Sequence, residues 1–316
     1  MKDTLKKIFF SKVFRVVFSA VLIFIAFKRV DMVGILVKIA GVPVWATLSI
    51  LVYFLFGNIL WSWRWSMLLL DKPRFKDIWE FTKASYIGNF YSIFLASTIG
   101  GDLVKWMPLM KRYPNLSKTR LMSSVLLDRM IGMSAFSAMA FIVVIVGKLL
   151  GYQFPDALFW FFIILFVGFC LFYILVFFFD FEKFVGKVAV LKKVFELMIV
   201  LKKENKNRVF KVLLFSFLWE PIWTIAYWLY SLIFDAGIGL IPIFIFVPII
   251  NLIIALPISI AGFGPREGLF VYFFSQIGIP SEKILLVSTY SGIIGVLCAL
   301  IGGVMILISN LKSEDK

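Results

Sequence analysis

Residues 238–267 read IGLIPIFIFVPIINLIIALPISIAGFGPRE. The segment from 238 to 260 is apolar enough to enter a bilayer, yet Pro242, Pro248 and Pro257 interrupt it. A proline inside a helix removes a hydrogen bond and clashes with the preceding turn, at a cost of about 3 kcal/mol. The run then ends in Ala261-Gly262-Phe263-Gly264-Pro265-Arg266-Glu267, a small-residue break followed at once by charge. Backbone that leaves helical geometry at membrane depth must be buried in protein or line a wet cavity, because lipid offers it no hydrogen bonds. The stretch therefore reads as a re-entrant segment over about 238–280, with Pro265 suited to the first turn of the helix that follows.

A second stretch has the same design. Residues 84–99, ASYIGNFYSIFLASTI, are apolar but only about 24 Å long as a helix, and they run into Gly100-Gly101-Asp102. They read as a second re-entrant segment, about 84–110. Between and around these breaks lie six runs long enough to cross a hydrocarbon core of about 30 Å, namely 12–27, 42–61, 121–147, 157–179, 209–234 and 283–309. The first begins in a basic stretch and carries Arg15, which points to an uncleaved span rather than a removable signal. The expected fold is an all-α polytopic membrane protein forming a single integral membrane domain over 1–316.

Composition agrees. Of the 316 residues 62% are hydrophobic and 16% charged, and the mean hydropathy is +0.99, far from the balance of soluble domains. A large soluble catalytic module is excluded. With no histidine and only Cys170 and Cys298, the chain lacks the usual ligands for zinc, haem or iron–sulfur clusters, and no cofactor is expected. No serine can find a histidine for a triad. The net charge of +15 belongs to loops held against anionic lipid, not to nucleic-acid binding. With the N-terminus inside, twenty-five Lys and Arg fall on the cytoplasmic side and five on the other. That count predicts both termini in the cytoplasm and, for a bacterial-type protein, an inner-membrane location. Residues 182–208 alternate apolar and lysine positions and are expected to form a basic amphipathic helix on that face. Trp61, Trp63, Trp65 and Trp79 are expected to anchor the interface.

The two breaks fall in loops of opposite sidedness, which points to an inverted-repeat transporter with substrate held between its halves. Two unrelated interfacial hairpins are the alternative. Ionisable residues inside such a protein require a partner or a purpose. Asp102 and Lys105 share a helix face if Gly100-Gly101 open a helix, so they read either as a capped local ion pair or as part of a phosphate site. Asp128 and Arg129 are neighbours and point about 100° apart, so Asp128 is expected to serve as counter-ion to Arg129 or Arg266. Arg266 is the leading candidate for an anionic headgroup, approached closely by ligand at Gly262 and Gly264, with Glu267 orienting it or meeting a cationic substituent. Glu220, beside Pro221, reads as a coupling carboxylate or as a cap on the groups the proline frees. The nearest acidic pair to a glycosyltransferase metal motif, Asp180-Phe181-Glu182, reads as a span terminator. No catalytic residue and no metal ligand is assigned.

Asn58 with Trp63-Arg64-Trp65, Gly100-Gly101-Asp102 with Lys105, Leu126-Leu127-Asp128-Arg129-Met130-Ile131-Gly132, and Pro257 through Gly268 come in an order that resembles the lysylphosphatidylglycerol synthetase transmembrane region family, also called the flippase-like domain family. The likeness covers nearly the whole chain. It implies a membrane region that moves an aminoacylated phospholipid between leaflets; other members are associated with polyprenyl-linked sugars, and some relatives are described as glycosyltransferases. The chain ends at Lys316 without a soluble synthetase domain, so synthesis of the lipid is not expected of it. Leu95-Ala96-Ser97 stands where many members have a proline, and Lys105 where an arginine is common.

The reading is a lipid transporter rather than an enzyme. Lys105, Arg129 and Arg266 would hold the phosphate of an anionic or zwitterionic headgroup; Asp102, Asp128 and Glu267 would orient them; the acyl tails would stay in the bilayer. No nucleotide-binding loop is present, so drive would come from an ion gradient, the potential or consumption downstream. A separate synthetase or glycosyltransferase is the expected protein partner. The rival readings are a membrane transferase and a non-catalytic scaffold for cell-envelope synthesis.

Overall fold

The computed structural model describes residues 31–94, 98–152, 155–178, 206–254 and 262–314. Among these residues every regular element is helical. The expected span 12–27, nearly all of the expected basic helix 182–208, residues 95–97, Pro257, Ala261 and Asp180-Phe181-Glu182 lie outside the described residues.

In chain order the helices are α1 (Met32–Ala40), α2 (Val44–Leu69), α3 (Phe75–Phe94), α4 (Thr98–Lys105), α5 (Met107–Arg112), α6 (Lys118–Leu149), α7 (Asp156–Phe178), α8 (Lys206–Trp219), α9 (Pro221–Ile233), α10 (Leu240–Ile254), α11 (Pro265–Ser275) and α12 (Ser281–Glu314). Among the described residues five stretches are long and apolar enough to cross a membrane: Val44–Leu69, Lys118–Leu149, Asp156–Phe178, Asn207–Ile233 and Ser281–Ile308. They match five of the six expected spans. The fourth runs through α8 and α9, which meet at Glu220-Pro221 because a proline is tolerated at the first position of a new helix but not inside an old one.

The short elements are those that the prolines and glycines mark out. At 15 and 11 residues, α10 and α11 reach only about 22 and 16 Å, too short to cross separately. They pack on each other, with Phe246 stacked on Phe273 at 5.4 Å and edge-on to Phe274 at 5.2 Å. The turn between them includes Gly262 and Gly264 at φ 78° and 90°, a left-handed conformation that favours glycine. The other break differs from expectation. α4 already begins at Thr98, so Gly100 and Gly101 lie inside a helix and do not open it. Gly101 serves close packing: a Cβ on it would stand 2.3 Å from the Gly88 carbonyl oxygen, and one on Gly88 2.6 Å from Lys105 Cβ. α3 and α4 therefore touch backbone to backbone.

The described residues fall into two compact units. One comprises those within Met1–Ile59, Thr82–Pro108 and Ile222–Lys316; the other comprises Leu60–Phe81 and Leu109–Pro221. In the first, α12 packs on α1 and α11, with Ile35, Leu285 and Leu286 buried together and Ile39, Phe234 and Val271 against them. Thr47 and Tyr290 share a hydrogen bond of 2.9 Å, and Gly302 lets α12 approach the Tyr86 carbonyl, which a Cβ would meet at 2.0 Å. In the second unit α6 is the central helix, capped by Ser117 accepting from Arg120 N–H at 3.2 Å and packed on α7 and α8.

Candidate functional site

The second unit contains a buried charge cluster. α2 extends eight residues past its expected end at 61, which places Arg64 inside a candidate span and not in a cytoplasmic loop. Asn58, Ser62 and Ser66, four apart on one face of the helix, are all buried as well. Arg64 Nε donates to Asp128 Oδ1 at 2.8 Å, and its Nη1 donates to Glu220 Oε1 at 3.3 Å. Arg64, Asp128 and Glu220 are 6%, 7% and 7% exposed. Trp61 Nε1 donates to the other Glu220 oxygen at 3.2 Å, and Trp65 Nε1 to Ser124 Oγ at 2.9 Å. Gly132 makes the room, since a Cβ there would lie 3.0 Å from Arg64 Nη1 and 3.2 Å from Glu220 Oε1. Removing one partner from a buried ion pair leaves an uncompensated charge and costs about 3–5 kcal/mol.

The structure adds partners that the sequence did not reveal. Asp128 pairs with Arg64, because α2 brings a guanidinium to its face of α6. Glu220 directs its carboxylate at Arg64 and Trp61; its own N–H bonds Ser216 O at 2.8 Å, so α8 stays hydrogen-bonded up to the proline. Trp61 and Trp65 donate to buried polar groups, whereas Trp63 is partly exposed and packs edge-on against Phe215 at 5.1 Å. Arg129 is half-buried on α6, one residue beyond Asp128.

The first unit holds a different kind of arginine site. Pro265 starts α11, as expected, and Arg266 N–H bonds Gly262 O at 3.0 Å. The Arg266 guanidinium carbon lies 5.2 Å from the centre of the Phe263 ring, within the range of a cation–π contact. Two glycines accommodate it. A Cβ on Gly292 of α12 would stand 2.5 Å from Nη1, and one on Gly262 2.9 Å from Nη2. Glu267, expected to orient Arg266 or to meet a cationic substituent, turns its carboxylate to the backbone. It is 1% exposed, accepts from Gly264 N–H at 2.6 Å, and takes Ser288 Oγ–H at 3.5 Å, so its carboxylate caps the N-terminus of α11.

Asp102 and Lys105 form the expected i, i+3 pair at 3.2 Å, with both side chains partly buried. Asp102 sits in the second turn of α4, not at its N-terminus, so the pair is a helix-face contact and not a cap. The first unit thus contains Gly100, Gly101, Asp102, Lys105, Gly262, Gly264, Arg266 and Glu267, and the second contains Asp128, Arg129 and Glu220. Among the described residues no three His, Cys, Asp or Glu side chains gather as a metal site would require.

Arg64 is the residue that motif reading left without a role. The signal for it was present: a fixed cation in a largely apolar 26-residue helix, flanked by Ser62 and Ser66.

Apolar spans, broken hairpins and buried charges bound from several helices define an all-α polytopic membrane protein with internal polar sites. The chain belongs to the lysylphosphatidylglycerol synthase TM region family, whose match extends over residues 12–303. Neither the curated proteins nor the solved structures contain a match to it.

Proposed function

We propose that this protein moves a lipid with a phosphate-bearing headgroup, a phospholipid or a polyprenyl-linked lipid, between the leaflets of the inner membrane, and that it does so as a transporter without changing the lipid covalently. The observation that carries this reading is Arg266: a half-buried guanidinium at a glycine-rich break, laid on an aromatic ring, while the adjacent carboxylate is drawn away to the backbone of Gly264. A forked, permanently charged donor suits a phosphate. Only the polar head meets a large barrier in crossing hydrocarbon, so a protein need shelter only that part. Lys105 and Arg129 are the further cations of the proposed path, the termini are cytoplasmic, and a separate synthetase or glycosyltransferase supplies or consumes the lipid.

The test is reconstitution with fluorescent phosphatidylglycerol and a quencher added outside. The wild-type protein accelerates loss of protection of inner-leaflet lipid. Arg266→Ala slows it at least about tenfold, the effect of about 1.4 kcal/mol at the transition state, and Arg266→Lys falls between. A covalently altered lipid with no leaflet exchange overturns the reading in favour of a transferase.

A further inference from the structure

The charged cluster of the second unit continues into an apolar groove. A cavity of about 260 Å³ is lined by Ala135 and Ala138 of α6, Phe166 and Cys170 of α7, and Leu213 and Phe217 of α8, among others. Of the lining side chains Ser134 and Tyr173 alone carry oxygen, and their hydroxyls share a hydrogen bond of 3.1 Å. All three helices belong to candidate spans, and Cys170 and Leu214 on its wall are exposed, so the groove opens sideways into hydrocarbon.

The register of α6 and α8 gives the groove a direction. On α6 the order is Asp128, Gly132, Ser134, Ala135, Ala138; read backward along the chain from Glu220, which directly follows α8, it is Phe217 and then Leu213. Asp128 and Glu220 meet at Arg64. The same two helices therefore present charge at one level and, about 15 Å further on, only carbon, with the paired hydroxyls between. Such a gradient matches a membrane lipid lying along α6. A water takes about 30 Å³ of liquid volume and a methylene is of similar size, so the cavity holds roughly eight or nine chain carbons. Left empty it forfeits dispersion contacts along its whole wall.

We infer that this groove holds one hydrocarbon chain of a bound membrane lipid, whose polar end faces the Ser134–Tyr173 pair and the Arg64 cluster. The alanines at 135 and 138 form the low wall; larger side chains there would fill the space. A second hollow, on the other side of α7 and lined by Met130, Phe161, Ile164 and Gly168 among others, contains no hydroxyl or charged residue and serves as the control.

The experiment uses the full chain in proteoliposomes of phosphatidylethanolamine and phosphatidylglycerol with a trace of phosphatidylglycerol carrying a mid-chain diazirine. After irradiation, cross-links map to 134–138, 166–173 and 210–217. Ala138→Phe lowers their yield about fivefold, and Gly168→Leu leaves it unchanged. If Ala138→Phe does not purify as a monodisperse protein, the decision rests on the wild-type map and on Cys170: in a Cys298→Ala background its alkylation by N-ethylmaleimide in detergent slows when phosphatidylglycerol is added. Cross-links spread evenly over the lipid-facing helices, or a Cys170 rate indifferent to lipid, overturn the inference. Leaflet exchange without groove cross-links removes this inference and leaves the transport reading intact; groove cross-links without exchange do the reverse.

Discussion

Two arginines are buried to different ends in this molecule. Arg64 is bound from two other helices by carboxylates and is 6% exposed. Arg266 is half-buried beside a helix break, on the face of Phe263, and its neighbouring carboxylate caps a helix. In both places a glycine on a facing helix, Gly132 or Gly292, supplies the space for the guanidinium. The difference lies in what offsets the charge. Carboxylates fix Arg64 as part of the scaffold, whereas Arg266 lies on the uncharged face of Phe263.

The largest test of that contrast is Arg64→Ala, which strands Asp128 and Glu220 and lowers stability by about 3–5 kcal/mol. Thermal unfolding in detergent reads the loss. Arg266→Ala, in comparison, keeps the wild-type melting temperature within a few degrees while leaflet exchange collapses. Equal melting losses for the two variants would erase the distinction drawn here.

Next come the glycines. Gly292→Ala puts a methyl 2.5 Å from Arg266 and 2.7 Å from the Phe263 ring, whereas Gly132→Ala meets Arg64 at 3.0 Å. Overpacking of this kind costs about 1–3 kcal/mol, and Gly292→Ala takes the upper part of that range. Its exchange rate falls with it, because the methyl displaces the guanidinium. A smaller melting loss for Gly292→Ala than for Gly132→Ala would show that the Arg266 cradle is the more yielding of the two.

Glu267 sharpens the comparison from the other side. As a capping group its replacement by Ala costs about 1 kcal/mol, and Gln, whose side-chain oxygen still accepts from Gly264 N–H, costs less. Leaflet exchange by Glu267→Gln stays near wild type. A collapse of exchange at full stability would mean that the carboxylate's charge serves the substrate.

The smallest effect is expected at Asp77, outside the spans. Burial raises the pKa of its carboxyl, but the Arg74 N–H at 3.0 Å, the Tyr113 hydroxyl at 2.8 Å and the nearby Arg74 and Arg112 charges outweigh this and hold it below the ordinary value. A lowered folded-state value means the contribution is fully present above the unfolded carboxyl pKa of about 3.9 and disappears as pH falls through the lower, folded value. Stability measured between neutral pH and that acid range should fall slightly more steeply for the wild type than for Asp77→Asn.

Much of this was legible in advance for a definite physical reason. Long apolar runs specify spans by length alone, so Lys118–Leu149 and Asp156–Phe178 were found within a few residues. The prolines and glycines of 242–265 announced a hairpin, because backbone geometry is a local property of the chain. Arg64 was not found, since the end of α2 was placed where hydropathy drops at Trp61-Ser62, and a polar residue that is satisfied by two other helices looks in sequence like one that has reached water. The role of Gly101 is hidden similarly: a glycine that opens a turn and one that admits a neighbouring backbone are written alike.

The sequence by itself determined that the chain is membrane-embedded, where most spans lie, and that charges sit where lipid does not tolerate them. Tertiary structure alone decided which charges meet: Asp128 with Arg64 across sixty-four positions, Glu220 with the same guanidinium across one hundred and fifty-six, and Glu267 with its own helix end. Hydrophobicity and backbone preference accumulate along the chain and can be read from it in order. An ion pair depends on the separation of two atoms, and packing alone sets that distance.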